Sequence, residues 1–185
     1  RIRCRRDRHR DDPTDEAALI DRCFFEHFRA KPMGQRRTAR ECALQMLYEM
    51  DIGKHSKDEI LRTFWQMNEH PEKVRDFAGQ LFEGTIQKLK QIDKVIQQHA
   101  KNWRLGRMAV VDRNILRIAV FEFLSGSRTP ETVVINEALE IAKKFSTQES
   151  AQFVNGILDS IKNELMKKRQ GSDGKADESP GTAPL

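Results

Sequence analysis

The stretch from Val110 to Leu124, VVDRNILRIAVFEFL, constrains this chain more than any other. Read as a helix, it carries Val111, Ile115, Ile118, Ala119 and Phe123 as one apolar stripe at three- and four-residue spacing. Leu116, Val120, Phe121 and Leu124 cover much of the remaining circumference. A helix that is apolar nearly all round is buried among other helices. It is shorter than the roughly 20 apolar residues a bilayer span needs, and Asp112, Arg113, Arg117 and Glu122 interrupt it. The segment therefore reads as a central helix, and the rest of the chain must supply amphipathic walls around it.

Those walls are visible as helical periodicity. Thr38-Ala-Arg-Glu41 has the form of a capping box and opens a helix that turns Cys42, Ala43, Met46, Leu47 and Met50 inward before Gly53. A second box, Ser56 to Glu59, precedes Ile60, Leu61, Phe64 and Trp65. Val74, Phe77, Ala78, Leu81, Phe82, Thr85, Leu89, Ile92 and Ile96 then predict one long helix of about six turns. Trp103 and Leu105 are expected to plug the core, and Asp112 to cap the central helix. Pro130 suits the first position of the next helix, which buries Val134, Ala138, Ile141, Ala142 and Phe145. A third box, Ser146 to Glu149, opens a last helix through Val154, Ile157, Leu158, Ile161 and Leu165. No segment alternates as a strand would. The expectation is an all-α protein of about seven helices.

The ends read differently. Residues 1–32 look foreign to the helical region after them, with Arg1 to Arg10 as a solvated basic arm and Asp15 to Arg29 as a helix that is marginal alone. Met33-Gly34 has the look of a true start, the upstream stretch being an extension. The same Met33-Gly34 resembles a myristoylation signal, but it is internal and is set aside. From Lys167 the Pro/Gly/Ser-rich end reads as a disordered tail. The expected division is 1–32, a helical RNA-binding domain at 33–166, and 167–185.

Catalytic signals are thin. There is no Gly-rich phosphate loop, nucleophile elbow or metal spacing, so no cofactor or metal is expected. The three cysteines, Cys4, Cys23 and Cys42, are scattered, which fits reduced thiols in the cytoplasm. The five histidines are dispersed, and Glu137 and Glu140 read as a solvated face. The net charge of +5 is modest, but Arg36, Arg37 and Arg40 crowd the start of one helix, where the dipole disfavours cations. Guanidinium groups there can pair with phosphates or stack on bases. Tyr48 lies two turns along the same helix, and Phe145 and Phe153 flank a helix junction where an exposed ring can stack a base; for Phe153 a core role stands equally open.

Four motifs then carry a resemblance: Arg36-Arg-Thr-Ala-Arg-Glu-Cys-Ala-Leu-Gln-Met-Leu-Tyr48, Met108 to Ala119, Val133 to Lys143, and Phe153-Val-Asn-Gly-Ile-Leu-Asp159. In this order they resemble the NusB family of transcription antitermination proteins. The resemblance implies a helical bundle of two antiparallel subdomains. It also implies binding of the single-stranded boxA element of nascent ribosomal RNA transcripts, jointly with the ribosomal protein NusE, within the RNA polymerase elongation complex. By motif position it implies an RNA surface of Arg36, Arg37, Arg40, Tyr48, Phe145, Glu149 and Phe153, and a NusE-facing Asp112. Thr38 stands where some members carry a further arginine, and Glu149 is often Asp in relatives. Asn136 and Asn155-Gly156 read as structural, the glycine permitting a close helix contact. Two other readings remain: an accessory domain of an RNA methyltransferase, against which stands the lack of a cofactor-binding α/β region, and a helical protein adaptor without RNA.

Overall fold

The computed structural model describes residues 34–53, 55–100, 103–126 and 129–173; the helix expected near 15–29, the basic stretch at 1–10, Cys4 and Cys23 lie outside them. Among the described residues the chain forms seven α-helices and one 3₁₀ turn, with no strand. The helices are α1 (Gln35–Ile52), α2 (Lys57–Met67), α3 (Glu72–Gln87), α4 (Leu89–His99), α5 (Val110–Leu124), α6 (Glu131–Phe145) and α7 (Gln148–Asp173). The 3₁₀ turn, Leu105–Arg107, leads into α5.

Helix α5 is the hub that its all-round apolar surface requires. It packs on α1, α3, α4, α6 and α7, while α1 also lies against α2 and α3, and α6 against α7. Ile115, Leu116, Ile118, Ala119, Val120 and Phe123 are buried. The polar residues that interrupt its apolar surface are buried as well: Asp112, Asn114, Arg117 and Glu122. Such groups are tolerated inside only when partnered, and the partners are on neighbouring helices. Asp51, at the end of α1, accepts from Arg113 Nη2 (2.9 Å), Asn114 Nδ2 (3.2 Å) and Arg117 Nη1 (2.9 Å). Arg117 also grips Asp93 of α4 through two bonds of 2.8 and 2.9 Å.

Several boundaries differ from expectation. α1 starts one turn early: Gly34 is its N-cap, and the N–H groups of Arg37 and Thr38 donate to Gly34 O. Thr38 and Glu41 are thus interior, and their capping box does not form. The added turn is supported by ion pairs that Arg37 and Arg40 make with α5 and α6. Ser56 does cap α2, accepting from Glu59 N at 3.3 Å. The third box is displaced by one residue, because Thr147, not Ser146, accepts from Ser150 N (3.1 Å). Pro130 stands just outside α6 as its cap. α5 begins at Val110 with Ala109 as cap, so Asp112 is inside the first turn and caps nothing.

The long helix expected over 74–96 is two helices. Lys88 departs from helical geometry at φ −102° and ψ 13°, ending α3 and starting α4. The interruption lies next to the crossing with α5, where a Cβ on Gly84 would overlap the Phe121 ring and Lys88 Nζ stands 5.9 Å from the centroid of that ring. Trp103 does not plug the core; it is 53% exposed. α7 continues past Lys167 to Asp173, so the tail expected from Lys167 begins as helix, and Arg169 Nη1 donates to Glu131 Oε1 at 2.6 Å.

Candidate nucleic-acid interface

The early start of α1 places three arginines against α5 and α6, and their environments diverge. Arg36 is exposed; its Nη1 donates to Thr129 Oγ1 (3.2 Å), and its Cζ lies 5.2 Å from the Phe77 ring centroid. Arg37 is half-buried and meets Glu137 in a fork of two 2.8 Å bonds. That hydrogen bonding holds the Glu137 carboxyl below its ordinary value and raises the Arg37 guanidinium above its own. Glu137 is therefore not the solvated carboxylate its helix position suggested.

Arg40 corrects a sequence expectation. It is 3% exposed and forms a fork with buried Glu122, Nε to Oε1 at 2.7 Å and Nη2 to Oε2 at 2.8 Å. A guanidinium so enclosed is a core group and cannot reach a phosphate in this structure. Tyr48 is also withdrawn: it is 9% exposed among the core residues of α1, leaving no face for a base.

Farther along, Glu41 of α1 accepts from Lys144 of α6 at 2.8 Å. Burial nonetheless pushes the Glu41 carboxyl above its ordinary range, and its second oxygen has no partner. Lys144 Nζ stands 4.7 Å from the ring centroid of Phe145, which is partly buried at the end of α6. Lys144 thus joins the α1 edge to the Phe145 edge. The arginine motif drew attention away from it, although a lysine beside Phe145 is a visible signal.

Beyond the junction, Glu149 is exposed in the first turn of α7, and bonds to its own backbone N–H and to Thr147 lower its carboxyl. Phe153 is partly buried against the core, and its ring meets Trp103 edge-on at 5.7 Å. Asp112 is 6% exposed, and one carboxylate oxygen accepts from Ser150 Oγ at 2.8 Å while the other lacks a partner. Its charge is covered by the first turn of α7 rather than offered to solvent. Asn136 is exposed, and a Cβ on Gly156 would meet nothing within 4 Å, so the glycine does not serve the close helix contact expected of it.

The arrangement suits binding rather than catalysis. Burial pushes the Cys42 thiol up to about 12, which suppresses the thiolate a nucleophile needs. His99 is engaged by Ser160 (2.8 Å) and Glu164 (2.9 Å). Arg37, Arg40 and Lys144 each face a carboxylate, whereas among the described residues Arg36 has only neutral partners. The surface therefore offers an uncompensated guanidinium beside the start of α6 and a lysine-backed aromatic ring at its end.

Comparison with known proteins agrees with the motifs. The family model described as the NusB family matches residues 37–163. A transcription antitermination protein NusB of Koribacter versatilis is 52% identical over 138 residues, covering 74% of this chain and 94% of the relative. One from Elusimicrobium minutum is 46% identical over 141 residues, covering 71% and 96%. Among solved structures, T. maritima NusB superposes with a TM-score of 0.64 at 33% identity, covering 72% of this chain and 92% of that one. A crystal structure of antitermination factors NusB and NusE in complex with double-stranded RNA gives 0.65 at 25% identity, covering 72% and 99%.

Proposed function

The chain belongs to the NusB family, and from that premise we propose that it grips the boxA element of nascent ribosomal RNA transcripts beside NusE, within the RNA polymerase antitermination complex. It acts as a binding factor, not an enzyme. Work on a nascent transcript places it in the cytoplasm, and no described helix is long and apolar enough to cross a membrane.

The observation that carries the RNA role is the edge from exposed Arg36 through Arg37 and Lys144 to Phe145. Arg36 supplies the phosphate contact, and Arg37 joins if an incoming phosphate competes for it with Glu137. Phe145 supplies a stacking face, with Glu149 and Phe153 bordering it. Arg40 holds the motif to α5 from inside. NusE docks near the first turn of α7, and Asp112 acts on that contact by fixing Ser150 from beneath.

Titration of a boxA RNA with NusE present, at several salt concentrations, tests this reading. Log K for a single strand falls with log salt by about 0.7 per phosphate neutralised. Arg36→Ala should flatten the slope by about that amount, while Phe145→Ala should weaken binding by about 1–3 kcal/mol at unchanged slope. Parent-like binding by both variants would put the RNA surface elsewhere.

A further inference from the structure

The loop ahead of α5 carries the largest apolar side chain that the fold leaves outside. Trp103 is 53% exposed, although burial is the general fate of so large a ring. Its backbone is nonetheless held on both sides. Trp103 N donates to Ala100 O (3.0 Å), and the Gln97 side chain donates to Trp103 O (3.0 Å) while accepting from Leu105 N (3.0 Å). Arg113 Nη1 fastens Leu105 O at 3.3 Å. The indole rests edge-on against Phe153, with 64° between the rings, which leaves a face toward solvent.

Two cations accompany it. Arg104 and Arg107 are exposed, and neither has an ion-pair partner among the described residues. That sets them apart from Arg37, Arg40, Arg113 and Arg117, each of which is matched to a carboxylate. An aromatic face with unpaired guanidinium groups on the same preformed loop is the composition of a single-strand groove, where bases stack and cations follow the backbone. Trp and Arg also anchor protein interfaces, but two guanidinium groups with no carboxylate among the described residues match the charge of a phosphate backbone.

We propose that Trp103, Arg104 and Arg107 form a further RNA contact, in which the indole stacks an unpaired base and the two arginines hold flanking phosphates. Because Trp103 touches Phe153, the RNA path along Arg36 and Phe145 extends across α7 onto this loop. The inference rests on that RNA-binding reading and lengthens the strand it accommodates.

The test uses the full chain with NusE and boxA RNAs of increasing length. In a Trp65→Phe background the remaining indole emission comes from Trp103, and adding RNA should quench it. Trp103→Ala should weaken the longer RNAs about 5- to 150-fold, the equivalent of one stacked base, and Trp103→Phe should keep most of the affinity. Arg104→Gln with Arg107→Gln should reduce the salt slope by about 1.4. If the parent binds RNA but these variants bind equally well and emission is unchanged, the loop contact is wrong while the RNA role stands. Weakened NusE binding by Trp103→Ala without RNA would assign the loop to the protein partner and overturn the proposal. No RNA binding by the parent at any length would defeat the functional reading itself, and this inference with it.

Discussion

Arg36, Arg37 and Arg40 show how little residue type alone says about role. One is exposed, one shares its charge with Glu137, and one is sealed against Glu122. Removing one member of a buried pair strands the other charge, at about 3–5 kcal/mol. Arg40→Ala is therefore expected to lower unfolding free energy by that amount in a denaturant titration. Arg40→Met combined with Glu122→Leu should recover much of the loss, since apolar groups of similar volume can replace a buried pair. Arg36→Ala should stay within about 0.5 kcal/mol of the parent. Equal stability of Arg40→Ala and Arg36→Ala would show that Arg40 is not a core group.

At the scale of elements, two helical glycines make opposite predictions. Gly84 in α3 receives the Phe121 ring of α5, and an added Cβ would force that ring out of its place. Gly84→Ala should therefore cost about 1–3 kcal/mol through overpacking. Gly156 in α7 faces open space, so Gly156→Ala should add about 1 kcal/mol from helix propensity alone. Thermal melts of the two variants should move in opposite directions; a shared direction would contradict the α3–α5 contact or the open environment of Gly156. Periodicity could not separate these glycines, because both lie at helical positions. It also ran through Lys88 without a break, since the apolar stripe continues from α3 into α4 while the backbone between them does not.

For the whole molecule, the described residues from 34 to 173 cluster as one compact unit that contains the buried apolar core. Deleting residues 1–33 should accordingly leave the melting temperature within a few degrees. A cut after Asp173 should do the same. A cut after Lys167 also removes the last turns of α7 and the Arg169–Glu131 pair, in which Arg169 is 58% exposed. A pair so open to water contributes at most about 1 kcal/mol, so this truncation should lower stability only slightly more. A large fall on removing residues 1–33 would mean that Phe24, Phe25 and Phe28 supply packing the folded unit needs.

The sequence by itself determined the helical class, the central place of α5, the inward faces of the other helices and the family. Each of these is written in local spacing or in short motifs, and burying an apolar stripe favours one periodicity wherever it occurs. Tertiary structure alone decided which arginine meets solvent, where α1 starts and whether Asp112 caps or supports α7. Those outcomes depend on partners far away in the chain: Glu122 lies 82 residues from Arg40, Glu137 lies 100 from Arg37, and Ser150 lies 38 from Asp112. A buried charge takes whatever partner the packing brings within about 3 Å, and no spacing along the chain records that distance.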